Sequence, residues 1–405
     1  MDIHTALPLL AGLSPQQFMQ QHWQKKPLLI RQAIPGLTAL LDRSALFALA
    51  GREEVESRLI VQEAASEEAA EGWQLTHGPF KRRALPALTQ KQWTLLVQGV
   101  DTHDDEFHRL LQQFRFVPDA RLDDVMVSYA SEGGGVGPHF DSYDVFLLQA
   151  HGQRRWRIGQ QKDLTLRDDV PLKVLENFEY EEEFILNPGD MLYLPPRYAH
   201  DGVAMNECMT YSIGFRAPEG RGLALELLQH MVDELVEDAA DEANGEDEDE
   251  EDGELFAPAL KILYQDPLQF AVSGPAAIPE TLQAFAVAEV QRAIADADSL
   301  LRLLGESLTE PKTSTWFDAG SAPDVFTSVA LDRSTRMMYD AKHVFINGES
   351  YLAAGRDAVL MRALADQRSL DAKQLKKPSA DAQSLLRDWC EAGWLHANIE
   401  VLAQR

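Results

Sequence analysis

The chain has 405 residues, enough for two or three domains, and a composition of 45% hydrophobic and 25% charged residues supports buried cores rather than disorder. A formal net charge of −28 opposes a grip on nucleic-acid phosphates and favours basic partners. Two cysteines, Cys208 and Cys390, exclude a disulfide framework, the N-terminus lacks the cationic start of a signal peptide, and no apolar run approaches the roughly 20 residues of a membrane span, so a cytoplasmic protein is expected, with no membrane contact and no direct nucleic-acid contact.

In chain order, Ser14-Pro15-Gln16-Gln17 reads as a capped helix start, and Leu28–Ile30 after Pro27 as a short buried strand. Arg43–Ala50 reads as a helix closed by Gly51, and Phe107, Leu110, Leu111 and Phe114 share one face of the next helix. From about Val125 the pattern changes to short apolar or alternating runs separated by Gly and Pro: Val125–Tyr129, Val145–Gln149, Arg154–Ile158, Phe184–Leu186, Met191–Leu194 and Met209–Phe215. That spacing predicts an antiparallel barrel or jelly roll. After Arg216 the helical period returns, with Leu223, Leu227, Leu228, Met231 and Leu235 in one stripe that suits packing on its own domain or a helix-to-helix dimer contact.

That stripe leads into Asp233–Glu254, which holds fourteen acidic residues and no Lys or Arg; its core has nothing to bury and is expected to be a solvated linker. Beyond it, Thr281–Ile294 and Asp298–Leu304 read as helices, the second stopped by Gly305. A hairpin turning at Asn347-Gly348 and helices over Asp357–Ala365 and Ala380–Glu391 suggest a small winged-helix-like unit. From Leu301 onward 13 Lys+Arg face 14 Asp+Glu, a balance that fits a scaffold rather than a DNA reader.

The sharpest stretch for chemistry is Gly133–Phe146, GGGVGPHFDSYDVF. His139 and Asp141, two apart at a strand edge, point to one face and can take adjacent positions around a metal. His200, after the Pro-Pro turn of PGDMLYLPPRYAH, is the third candidate. Two imidazoles and one carboxylate leave positions open, which suits Fe(II) binding a cosubstrate and dioxygen. His-x-acid spacing alone arises by chance roughly twice in such a chain, and His103/Asp105 is a decoy in a helix start. The glycine-rich approach and the later Pro-Gly-Asp, Pro-Pro and His elements favour His139/Asp141. In Gln153–Ile158 the even positions Arg154, Trp156 and Ile158 share a face that should point inward. A buried Arg154 needs an anion, either a structural carboxylate or the far end of a dicarboxylate such as 2-oxoglutarate. The Ser128 hydroxyl is placed to reach the same anion or to serve as a small core residue, with Thr210 and Ser212 as weaker versions.

HWQKKPLLIR, GGGVGPHFDSYDVFLLQ, GQRRWRI, PGDMLYLPPRYAHDG and YSIGFRAP together resemble the JmjC-type ribosomal oxygenases, in particular the bacterial branch that hydroxylates an arginine of a large-subunit ribosomal protein of the uL16 type. The resemblance covers residues 1–220; beyond them only the order of parts matches. It implies a fold that is mainly β with α: a double-stranded β-helix (jelly roll, cupin) in residues 1–220 with its core barrel at about 95–217, a helical dimerisation region in 221–300 that includes the acidic insertion 233–254, and a winged-helix-like domain in 301–405. It further implies Fe(II) on His139, Asp141 and His200, 2-oxoglutarate held by Arg154 and Ser128, dioxygen as the oxidant, a homodimer, and a basic ribosomal protein as substrate. Histone demethylases of the wider JmjC class usually present Lys where Arg154 stands, which argues against that activity. The rival expectations are the same chemistry on a histidyl residue or a small molecule, and a catalytically silent cupin acting as a binding or assembly module.

Overall fold

The computed structural model describes residues 2–63, 72–244, 264–267, 276 and 278–398. The first helix, α1 (Pro15–Gln21), starts as its sequence dictates: Ser14 Oγ accepts from Gln17 N, and the Gln17 side chain accepts from Ser14 N at 2.9 Å. Strand β1 (Leu28–Ile30) and helix α2 (Arg43–Leu49) follow, the latter capped by Asp42.

The sheet begins earlier than the alternation at Val125 suggests. Strands β2 (Ser57–Glu63), β3 (Gly72–His77) and β4 (Trp93–Val97) precede helix α3 (Asp105–Gln112), and every residue of β4 is buried, so it carries no period-2 signal. Then come β5 (Leu122–Ala130), β6 (Val145–His151), β7 (Arg154–Gly159), β8 (Glu182–Leu186), β9 (Met191–Leu194), β10 (Ala199–Ala204) and β11 (Cys208–Phe215). They build two antiparallel sheets, one of eight strands in the order β1-β9-β6-β11-β5-β4-β2-β3 and one of three in the order β10-β7-β8. This is the jelly roll of the cupin type, the chain crossing from the large sheet to the small one at β7 and β10 and back at β9 and β11. One core lies between the large sheet and the helices, where Phe107 of α3 meets Tyr211 at 4.8 Å between ring centroids. A second fills the roll itself, around Val145, Leu147, Trp156, Ile158, Leu186, Leu192 and Leu194.

Helix α4 (Gly220–Asn244) takes in the first part of the acidic stretch; residues 245–254, the core expected to be a linker, lie outside the described residues. Helices α5 (Glu280–Ala293) and α6 (Ala297–Thr309) follow. Gly305 does not stop α6: the helix runs through it because a Cβ there would meet the Phe345 ring at 2.3 Å, so the glycine is a packing notch rather than a cap. The C-terminal unit joins β12 (Val329–Leu331), β13 (Met337–Tyr339), β14 (His343–Ile346), β15 (Glu349–Leu352), α7 (Gly355–Gln367), β16 (Ser369–Leu370), α8 (Ala380–Glu391) and β17 (Leu395–Ala397). Its hairpin turns at Asn347 (φ 48) and Gly348 (φ 91), the left-handed pair a two-residue turn requires. Trp389, Leu386 and Leu364 are among its fully packed centre. Among the described residues no helix is long and apolar enough to cross a membrane.

The two units meet along a polar seam. Arg115 pairs with Asp119 and donates to the carbonyls of Asp366 (2.7 Å) and Ala365 (3.0 Å) in the last turn of α7. Arg333 donates to Thr102 O at 2.7 Å, and Lys312 lies 3.1 Å from Asp123 and 3.2 Å from Asp124. His108 of α3 faces this seam with Nδ1 buried and unpartnered; burial, reinforced by Arg368, pushes its imidazole down to about 3. Its unfolded value near 6.5 is higher, so the stability it allows is full above pH 6.5 and is lost as the pH falls toward 3. The urea midpoint should therefore drop between pH 6.5 and 4.5, His108 contributing at most about 1.4 kcal/mol per pH unit. His108→Leu should show a shallower decline, and superimposable pH curves for the two proteins would remove this residue from the account.

Candidate metal centre and cosubstrate pocket

His139 sits just ahead of β6, not within a strand. An isolated antiparallel bridge holds it to His200 of β10: His139 N donates to His200 O at 2.9 Å, and His200 N to His139 O at 2.8 Å. Each imidazole is then turned by a carbonyl, His139 Nδ1 toward Gly137 O and His200 Nδ1 toward Tyr198 O, both at 2.9 Å. A carbonyl only accepts, so Nδ1 carries the proton in both rings and Nε2 is left with its lone pair. The ring centroids are 4.2 Å apart, and His200 Nε2 lies 3.6 Å from Asp141 Oδ2. That approach is too long for a hydrogen bond. It is not an ion pair at neutral pH either, because burial and then the neighbouring His139 push the His200 imidazole down to about 4.

One ligand atom from each of His139, Asp141 and His200 lies within 4.8 Å of the others, the single such trio among the described residues. Two imidazoles whose Nδ1 atoms face carbonyls and one carboxylate, left without side-chain hydrogen bonds to one another, are a donor set that fits Fe(II). Arg197 N donates to Asp141 O at 2.7 Å, so the Pro-Pro turn before His200 also fixes the acid.

The alternation in β7 falls as the sequence suggests: Arg154, Trp156 and Ile158 are buried, opposite Ala204, Gly202 and His200 of β10. Arg154 is 5% exposed, with Nη2 3.3 Å from Ser128 Oγ and its guanidinium 5.6 Å from the Trp156 ring centroid. Its Nε is buried and unpartnered, and no carboxylate pairs with this side chain among the described residues. A buried guanidinium with spare donors in the same roll as the metal trio fits a carboxylate of 2-oxoglutarate. Thr210 is engaged elsewhere, donating to Gln149 Oε1 at 3.0 Å, while Ser212 is half-buried on the same strand face. The decoy behaves as one: Asp104 caps α3, Asp105 pairs with Arg333, and His103 stands apart from the trio.

Three residues escaped the sequence reading. Tyr143 continues the two-residue step of His139 and Asp141; burial and then Asp141 push its phenol up. Gly202 leaves room for Trp156, since a Cβ there would lie 2.5 Å from the indole. Asp201 lines a cleft of about 320 Å³ with Trp73, Gly137, Pro138 and Val174, beside His139. Tyr143 was legible from its spacing, whereas the other two depend on cross-strand register and loop placement. Gly202→Ala should cost about 1–3 kcal/mol in a urea titration and broaden the resonances of the adjoining His200 ring, because Trp156 has nowhere to move; unchanged stability would contradict the packing.

This roll, with three metal-type ligands at its mouth and a buried arginine within, defines a cupin of the JmjC class: residues 109–223 match the JmjC domain and residues 292–396 the ROXA-like winged helix. The chain is similar to JmjC-type ribosomal oxygenases. It is 39% identical over 207 residues to ribosomal protein uL16 3-hydroxylase of Escherichia coli (strain K12), an overlap of 51% of this chain and 53% of that protein, so it spans about half the length of this curated relative. The X-ray structure of E. coli ycfD superposes with a TM-score of 0.77 at 26% identity, covering 94% of this chain and 97% of the other. E. coli ribosomal oxygenase YcfD in complex with cobalt and 2-oxoglutarate gives 0.74 at 26% identity, covering 95% and 98%.

Proposed function

We propose that this protein is an Fe(II)- and 2-oxoglutarate-dependent oxygenase that hydroxylates an arginine side chain of a large-subunit ribosomal protein of the uL16 type. The observation that carries the reading is the His139-Asp141-His200 triangle opening into the roll that also encloses a half-satisfied Arg154. The similarity to a uL16 3-hydroxylase supports the choice of substrate.

In this reading His139, Asp141 and His200 hold the iron, and Arg154 with Ser128 holds the far carboxylate of 2-oxoglutarate. Iron with that cosubstrate supplies the oxidising power that turns dioxygen into a hydroxyl group on carbon, with succinate and carbon dioxide as co-products. The protein's own part is placement and exclusion. The Nδ1 bonds to Gly137 O and Tyr198 O keep both rings aimed, Trp156 and Ile158 wall the cosubstrate from water, and Arg154 fixes its distal end. The acidic field raises the encounter rate with a basic polypeptide.

We take residues 1–220 as the oxygenase unit, 221–300 as a helical segment and 301–405 as the winged-helix-like unit. Exposed Leu225, Leu228 and Val232 on α4 supply the surface for a homodimer. The protein is placed in the cytoplasm, with its ribosomal substrate. The test is incubation of purified protein with iron, 2-oxoglutarate and unmodified ribosomal proteins, followed by mass spectrometry. A +16 Da product mapping to an arginine of the uL16-type protein is expected, and modification of another residue type or of none would overturn the assignment.

A further inference from the structure

The polar seam between the two units widens into a cleft of about 470 Å³, lined from the oxygenase side by Glu54, Glu56 and Asp124 and from the C-terminal side by Lys312, Trp316 and Asp318. One of its lining residues, Asp124, belongs to β5, the strand that also carries Ser128. Asp124 and Ser128, four residues apart, share one face of β5. The strand therefore ties the cleft to the roll that holds the candidate site.

Three features make this cleft more than a gap between domains. Its cations are already engaged: Arg52 with Glu54 at 2.6 Å, Lys312 with Asp123 and Asp124, and Arg333 with Asp105 at 2.7 Å. Its remaining carboxylates are not. Asp318 has no ion-pair partner among the described residues, and Glu56 has only Arg58 at 3.9 Å. Trp316 stands on the rim with 82% of its surface exposed, the most exposed large hydrophobic side chain among the described residues. A flat aromatic face beside free carboxylates is the recognition chemistry of a Lys- or Arg-bearing chain, which stacks a cation on the ring and pairs it with the acids.

We propose that the interdomain cleft is a docking groove for an extended basic polypeptide segment flanking the residue delivered to the metal centre, with Trp316, Glu56 and Asp318 as its anchors. The inference rests on the proposed function for the identity of the delivered residue, but the groove's preference for a basic chain stands on its own geometry. The C-terminal unit then takes part in substrate selection, and the two units must stay docked for the groove to exist.

The test uses the full chain and a fluorescein-labelled twenty-residue peptide in which Arg and Lys alternate with Gly and Ser. Anisotropy titrations at low and physiological salt compare the wild type with Trp316→Ala, with Glu56→Lys/Asp318→Lys, and with Glu280→Lys/Asp381→Lys. The last pair makes the same charge change at exposed positions that do not line the cleft. Both cleft variants are expected to weaken binding about tenfold, the distant pair less than twofold, with the charge-dependent part shrinking as salt rises. Equal weakening by both charge-reversed pairs would reduce the effect to net charge and overturn the groove, as would undiminished binding in Trp316→Ala. Steady-state turnover gives the second reading: the cleft variants should raise KM for a long basic substrate peptide with kcat unchanged, and leave a short peptide lacking flanks unaffected. Probe binding lost in the cleft variants, but with no basic peptide hydroxylated by the wild type, would keep the groove and sink the proposed function. Hydroxylation that is indifferent to all the cleft variants would do the reverse.

Discussion

Replacing Asp141 with alanine is expected to abolish 2-oxoglutarate-dependent succinate formation while leaving the roll intact. The side chain is one of the three proposed ligands, and the two imidazoles that remain offer only adjacent nitrogen donors. Loss of a ligand should weaken metal retention by more than the roughly 10–100-fold seen when only a supporting partner is lost. What stabilises this segment locally is largely backbone: Asp141 O accepts from Arg197 N at 2.7 Å, and the His139–His200 bridge closes the turn, and neither needs the carboxylate. A half-exposed side chain without a hydrogen bond to either histidine is removed at little cost to folding, so the thermal midpoint should stay near that of the wild type. Succinate release by the variant at the wild-type rate would refute the triad.

The second large effect is expected at Arg154. Its guanidinium is buried with one hydrogen bond among the described residues, 3.3 Å to Ser128 Oγ, and an unpartnered Nε, so a bound dicarboxylate would complete its hydrogen bonding. Two charge-assisted bonds at about 1.5–3 kcal/mol each set the scale. Arg154→Ala should raise the half-saturating 2-oxoglutarate concentration by about 10²-fold or more. Arg154→Lys should fall between, because the charge survives but the two-pronged geometry does not. Ser128→Ala should matter less, since only one neutral donor is lost. The measurement is initial rate against 2-oxoglutarate concentration, with the peptide substrate held saturating. An unaltered requirement in Arg154→Ala would take this residue out of the pocket.

What the sequence disclosed about this protein follows the range of the interactions involved. His139 and Asp141 were legible because a glycine-rich approach and a two-residue step are local signals, and His200 because a Pro-Pro turn announces a fixed direction. Arg154 was legible because period-2 alternation with Trp156 and Ile158 declares a face. Trp93–Val97 is buried on both faces and gives no rhythm, and it and the two strands of its sheet that precede it, Ser57–Glu63 and Gly72–His77, carry no expectation from the sequence. Gly305 was misread as a helix stop because a glycine's role as a notch depends on Phe345, which approaches from a distant hairpin. The seam that brings Lys312 to Asp123 and Asp124 has no local signature at all, since it joins a residue after α6 to the start of β5.

The reciprocal amide bonds between His139 and His200 have a consequence for how this protein relates to its ion. Two of the three side chains proposed to coordinate it are stapled by peptide groups that the roll itself supplies, so the dimensions of the triangle are inherited from the sheets rather than imposed by what enters it. A chelator should therefore silence the protein without melting it.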